Sequence, residues 1–448
     1  MSATPEPPAG TVHARPGRAL VEDCVHCGFC LPACPTWVSW GQEMDSPRGR
    51  IDLMRGLAEG KLEWTDSVAT HFDRCLGCMA CVTACPSGVR YDVLIEQTRA
   101  RLEEKHPRGV LDRLYRNMIF ALLPYPRRLR ALAAGLSVYS ATGLQRLVRA
   151  SGLLRVLPAR VAQLDALMPT LGREHLVDNL PAQVAAAGPR RARVALVAGC
   201  VQRVLFPGVN DATLRVLAAE GCDVVLPAGQ GCCGALSLHA GREHEALAFG
   251  RDLIARFERA GPLDAILVNA AGCGSSLKDY GRLFAGDPAW AARAAAFAAK
   301  VKDVTEFLAA LGPAAPRHPL AGRIAYHDPC HLAHAQGVRE APRSLLRGIP
   351  GLELVEIPDG DQCCGSAGIY NMVQPESSNE IGVRKADNVL KTGAPFLASA
   401  NPGCTLQIGK VLRERGKALA AAHPIEILDA SIAGRPLRAR NENGRRSP

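Results

Sequence analysis

Aromatic side chains make up only 5% of this 448-residue chain, and they are not interleaved with its basic residues. A base-stacking surface is therefore not expected, although the net charge is +10. No stretch approaches the run of about 18 apolar residues that a bilayer span requires. The most apolar helical candidate, Ile119–Leu136, is broken by Pro124, Pro126, Arg127, Arg128 and Arg130. The N-terminal MSATPEPPAGTVHARPGR lacks the apolar core of a secretion signal. Dinucleotide and nucleotide fingerprints are missing too. No G-x-G-x-x-G follows a strand, there is no Walker A loop, and GCGSSL after Cys273 fails the pattern. Together these absences predict a soluble cytoplasmic chain that does no hydride or nucleotide chemistry of its own.

Cysteine is what the chain has in quantity: seventeen, of which all but Cys222 fall into two matched sets of eight. Disulfides are a poor reading, because a chain of this size needs no staples and nothing marks export. Close cysteine runs in a reducing compartment bind metal. The first set forms two dense runs, CVHCGFCLPACP (Cys24, Cys27, Cys30, Cys34) and CLGCMACVTACP (Cys75, Cys78, Cys81, Cys85). The spacing C-x2-C-x2-C-x3-C-P is that of ferredoxin iron–sulfur ligands, whose fourth cysteine serves the other cluster. The predicted wiring is crossed. Cys24, Cys27, Cys30 and Cys85 take one [4Fe-4S] cluster, and Cys75, Cys78, Cys81 and Cys34 take a second. Zinc sites use separated pairs and not a triplet with a remote fourth. About 40 residues separate Cys34 from Cys75, so the intervening segment is expected to be helical, unlike the short spacer of a compact ferredoxin. His26 reads as a solvent-facing loop residue.

The second set is sparse and duplicated. Cys200, Cys232, Cys233 and Cys273 recur as Cys330, Cys363, Cys364 and Cys404, offset by 130 or 131 residues. Around them RVALVAGC matches RIAYHDPC, and DVVLPAGQGCCGA matches ELVEIPDGDQCCGSA. Short Val/Ile/Leu runs alternate with helical stretches, the signature of a parallel sheet. The cysteines follow the strands' carboxyl ends, where open α/β sheets place ligands. The predicted fold is therefore α+α/β. Residues 1–18 read as disordered, 19–105 as an α-helical ferredoxin domain, 106–189 as a helical linker, 190–315 and 316–435 as tandem α/β domains, and 436–448 as a disordered tail.

Each sparse copy brings four thiolates together from three loops. The pattern resembles the CCG domain of heterodisulfide reductase subunits and their relatives, which hold an iron–sulfur centre or zinc. The fuller family pattern ends in C-x2-C, and here its first cysteine is replaced by Ala270 and by Asn401. Four ligands per copy remain, which leaves a further cluster, a zinc ion, or one of each. His327, His331 and His334 read as hydrogen-bonding or packing residues, since four thiolates suffice. Asp328 reads as a supporting residue, and Cys222 as a buried free thiol.

Longer strings widen the likeness. CVHCGFC, DSPRGRIDLM, CPSGVRYDVL, GCCGALSLHAG, HDPCHLAHAQ and CCGSAGIYNM run through the chain. On them the sequence resembles the glycolate oxidase iron–sulfur subunit family from about Cys24 to Leu428. The resemblance implies flavin-binding partner subunits that oxidise glycolate to glyoxylate. It also implies single-electron transfer to a quinone or other acceptor, and no substrate chemistry on this chain. The same architecture serves lactate and glycerol-3-phosphate dehydrogenases. A catalytic disulfide reductase is the competing reading, and the missing fifth cysteine weighs against it. A nucleic-acid binder finds no supporting motif. The Arg-rich apolar region 106–160 is expected to meet a partner subunit or the inner face of the cytoplasmic membrane, if it is more than a linker.

Overall fold

A computed structural model describes residues 18–152, 156–169, 171–417 and 419–437. The stretch before residue 18 and the tail from 438, both expected to be disordered, lie outside them. The cysteine-dense N-terminal region is helical, as its long spacer predicts. Its helices include Pro35–Trp40, Pro47–Ala58, Asp66–Arg74 and Tyr91–Lys105. Local chemistry sets their starts. Ser46 Oγ accepts the Gly49 N–H at 3.0 Å with Pro47 in the first turn, and Thr65 caps Asp66–Arg74. Ile51, Met54, Phe72, Leu94, Ile95 and Leu102 form the region's core.

Helices Val110–Leu122, Pro126–Ala141, Leu144–Ala150 and Ala159–Leu167 follow. None of the described helices is long and apolar enough to cross a membrane.

Two sheets come next. The first has the order β1-β3-β2-β4-β5, with β1 (Gln183–Val184), β2 (Ala192–Val197), β3 (Cys222–Val225), β4 (Ala265–Val268) and β5 (Val301–Asp303). Only β1 pairs antiparallel, so sheet structure starts ahead of residue 190. The second has the order β7-β6-β8-β9, with β6 (Gly322–His327), β7 (Leu352–Glu356), β8 (Phe396–Ser399) and β9 (Ala420–Ala422), all parallel. The duplicated sequence thus folds twice into one strand order.

The copies are built into each other. Helix Pro424–Ile432 of the second packs on helix Pro207–Ala219 of the first, while Val304–Leu311 of the first packs on Glu340–Arg347 of the second. Arg215 and Asp429 pair across this contact at 2.8 Å. One apolar core runs through both sheets, from Leu196 and Leu217 to Ile324, Tyr326 and Ile427.

The N-terminal region docks on both copies. Glu96 pairs with Arg282 at 2.5 Å, and Trp40 donates to Glu380 at 2.7 Å. Thr83 Oγ1 lies 2.7 Å from His334 Nδ1.

Candidate metal centres

Two small cavities organise the dense cysteine runs. One, of about 30 Å³, is lined by Cys24, Cys27, Cys30 and Cys85, and by Cys81 as well. The other, of about 20 Å³, is lined by Cys34, Cys75, Cys78 and Cys81. The tight loops need left-handed backbone, which Gly28 (φ +86°) and Gly77 (φ +60°) adopt without strain, while His26 and Met79 also take it. His26 lies on the surface side, 3.4 Å from Asp52.

All the described cysteines are free thiols. Burial pushes Cys30 up to about 11 and raises Cys78 and Cys81 well above their ordinary value. Cys75 is the exception. Burial works to raise it too, but the Arg50 and Arg99 guanidiniums, the Gly77 amide and the Tyr91 hydroxyl together hold it low. Thiols that resist ionisation in an apolar setting become thiolates when a cation supplies the compensating charge. An all-sulfur set of four around each cavity therefore fits an iron–sulfur cluster.

Sequence reasoning missed the polar frame behind these thiols. Arg50 is 1% exposed and donates to the His71 carbonyl at 2.7 Å and Thr36 Oγ1 at 3.2 Å. It also pairs with Asp45 at 3.3 Å. Thr36 Oγ1 in turn sits 3.1 Å from Cys34 Sγ. The signal was the string DSPRGRIDLM, which contains both Asp45 and Arg50.

The sparse cysteines gather into two chains of touching thiols. Cys200 Sγ lies 3.5 Å from Cys232 Sγ, and Cys233 is bonded by Cys232 and Cys273, which hold it well below its ordinary value. In the second copy Cys330 meets Cys363, Cys363 meets Cys364, and Cys364 meets Cys404. The glycine of each Cys-Cys-Gly is obligatory. Gly234 (φ +82°) would place a Cβ 2.7 Å from the Ala246 carbonyl oxygen, and Gly365 (φ +88°) 2.5 Å from that of Ser378.

The two sites face each other. Ala271 N–H donates to the Ala400 carbonyl at 3.2 Å, and Gly272 N–H to Asn401 Oδ1 at 3.3 Å. All eight thiols border one cavity of about 350 Å³, which Leu129, Leu132, Leu136, Leu164 and Leu167 also line. Cys222 lies apart, buried at the start of β3.

The histidines divide. His334 is hydrogen-bonded to Thr83 and the Asp361 carbonyl. The His331 ring packs 4.9 Å from that of His239, and its Nδ1 is 3.7 Å from Cys330 Sγ. His327 packs without hydrogen bonds. It is fully buried, and neither ring nitrogen has a hydrogen-bond partner. Burial, then the nearby Lys385 ammonium, keeps its ring neutral. Asp328 supports the loop through Arg343, at 2.8 and 2.6 Å.

The dense and sparse thiols adjoin. Cys78 shares an apolar cluster with Cys330 and Cys363.

Comparison with known proteins adds the following. Residues 20–89 match the family model described as "4Fe-4S dicluster domain". Residues 194–278 and 324–409 each match "Cysteine-rich domain", and residues 111–168 match "Glycolate oxidase iron-sulfur subunit, linker region". The chain is 39% identical to the "Probable glycolate oxidase iron-sulfur subunit" of Bacillus subtilis (strain 168), over 91% of this chain and 93% of that one. It is 34% identical to the "Glycolate oxidase iron-sulfur subunit" of Escherichia coli (strain K12), over 92% and 95%. A shorter similarity, 33% identical over 54% of this chain and 98% of the relative, is to "Lactate utilization protein A" of Oceanobacillus iheyensis.

Proposed function

The chain belongs to the glycolate oxidase iron–sulfur subunit family, and we propose that it carries single electrons from a flavin-bearing partner that oxidises glycolate to a quinone-type acceptor. Glycolate oxidation to glyoxylate releases two electrons and two protons, and a flavin accepts the pair together. Cys24, Cys27, Cys30 and Cys85 hold one [4Fe-4S] cluster, and Cys75, Cys78, Cys81 and Cys34 hold the other. Cys200, Cys232, Cys233 and Cys273 hold a metal centre, as do Cys330, Cys363, Cys364 and Cys404. Such clusters, when bound, take up and release electrons one at a time.

The observation that carries this reading is the unbroken row of thiol sites. Cys81 borders both small cavities, Cys78 adjoins Cys330 and Cys363, and both sparse sites border one cavity. The row begins at the surface with Cys27, which is exposed. It ends at the leucine wall, which is suited to an apolar acceptor ring. Helix Pro126–Ala141, which supplies part of that wall, also shows Arg127, Arg128 and Val138 to the outside. Between Val110 and Arg160 the sequence holds nine arginines and one acidic residue, Asp112. Exposed Leu111, Leu114 and Leu147 lie among them. This combination of cation and apolar surface suits an anionic membrane face.

The test is anaerobic reduction of the purified complex. Glycolate should bleach the cluster absorbance of this chain only when the flavoprotein is present, with about eight irons from the dense runs. Bleaching by glycolate in the isolated chain would overturn the conduction reading. Reduction by lactate in place of glycolate would move the substrate assignment to that of the lactate-utilisation relatives.

A further inference from the structure

The two sparse sites have the same four thiols but not the same surroundings, and one difference has the chemistry of a ligand. His327 is the last residue of β6, and its register partner on β8 is Ser399. Its place in the first copy is held by Val197, the last residue of β2. Both are buried, at 0% and 1% exposure. A valine there needs no partner. A histidine does, since burying ring nitrogens without hydrogen bonds is costly. Both nitrogens of His327 lack one.

What His327 does have is sulfur. A ring nitrogen of His327 and the Sγ atoms of Cys364 and Cys404 all lie within 4.8 Å of one another. A single metal ion with bonds of about 2.3 Å to sulfur and about 2.0 Å to nitrogen draws such atoms to separations below about 4 Å. Only small side-chain adjustments separate this arrangement from a bonded one. Neutral imidazole offers the lone pair directly.

We propose that His327 is a nitrogen ligand of the metal at the second sparse site. That site then has a mixed nitrogen–thiolate set, while the first, with Val197, is all-thiolate. The inference rests on the reading that the second site holds metal, and it names a residue that the cysteine pattern does not contain. It also gives the orphaned ring a purpose at the site whose family cysteine is replaced by Asn401. Where the neutral imidazole takes the place of one of the four thiolates at the metal, the centre is less negative, which favours its reduction if the metal is iron.

The experiment uses the full chain, purified anaerobically after labelling with 15N-histidine. Pulsed EPR is recorded on the reduced protein, with zinc-edge X-ray absorption on the same sample. The expected result is a directly bonded histidine nitrogen, either as a hyperfine coupling on an iron centre or as a scatterer at about 2.0 Å from zinc. His327→Val, which copies the first site, should abolish it, and His331→Gln should leave it intact. Imidazole added to His327→Gly should restore it, with unchanged ferredoxin-type signals reporting that the variants fold. Metal at the second site with sulfur ligands alone in the native protein overturns the proposal, and so does loss of the signal in His331→Gln but not His327→Val. Finding no metal beyond the irons of the dense runs would overturn the metal reading of the sparse sites and, with it, this proposal.

Discussion

The strand before the lead cysteine ends on Val197 in the first copy and on His327 in the second, and the contrast continues around the thiols. Ala270 becomes Asn401, whose Nδ2 donates to Cys404 Sγ at 3.3 Å. Ala198 becomes Asp328, tied to Arg343. The helix behind the second site buries Lys385, which donates to the carbonyls of Asp359 and Gly360 at 3.1 and 2.8 Å. The matching helix of the first buries Leu253 and Ile254. The two copies share strand order, turn and thiols, and they differ in the lining, which is more polar at the second site. Polar groups and buried charge beside a cluster are among the main levers on its potential. The two copies therefore read as one scaffold with two differently lined thiol sites.

The largest expected effect tests what the copies share. Gly365→Ala and Gly234→Ala should each disrupt its own turn, because φ is left-handed and the new Cβ meets a backbone oxygen. The loss should reach about 3 kcal/mol or more in denaturant unfolding, as left-handed strain and overpacking add, and should strip metal from that copy alone. Equal metal loss from both copies would show that the sites form one cooperative unit.

A middle-sized effect separates the helix caps. The last helix of each copy begins with a capping box, using Asp303 with Glu306 in the first and His423 with Glu426 in the second. Burial raises Asp303 to about 6, despite the Thr305 bonds that lower it. Asp303 thus costs stability above about pH 6, a cost that fades as pH falls towards its ordinary 3.8. Burial lowers His423 from 6.5 to about 3. Its stabilising contribution is complete above pH 6.5 and is lost progressively as pH falls below that value. His423→Asn keeps a capping side chain without the titration. Thermal melts between pH 6.5 and 5 should decline less in this variant, by up to about 1.4 kcal/mol per pH unit. Identical slopes would remove His423 from the account.

The smallest effect concerns Asn401. Asn401→Ala restores the first copy's residue and removes the bonds to Cys404 Sγ and from the Gly272 amide. A loss of about 1–2 kcal/mol in unfolding is expected for two such bonds. A loss several times larger would mean that Asn401 does more than these bonds.

Much of this molecule is legible from spacing. Each small cavity is lined by a triplet and the other run's fourth cysteine, as the spacing groups them, because a short loop can wrap only one side of a site. A repeat offset of 130 or 131 specifies two folds of one kind, because the same alternation of strand and helix signals appears twice. Less legible was anything set by residues far apart in sequence. Arg50 and Arg99 converge on Cys75 from separate helices, and although DSPRGRIDLM draws attention to Arg50, nothing in it says which thiol that arginine meets.

The sequence by itself determined that sixteen cysteines fall into two dense and two sparse sets at metal-ligand spacing, because spacing is a local property. Only the tertiary structure decided how those sets stand to one another. Packing of the ferredoxin region against the second copy brings Cys78 to Cys330 and Cys363. Reciprocal helix packing holds the copies together, and their thiols open on one cavity. The same packing buries His327 among sulfur atoms with no other partner. A histidine beside a cysteine motif has many readings in a sequence. Burial without a hydrogen bond leaves it few.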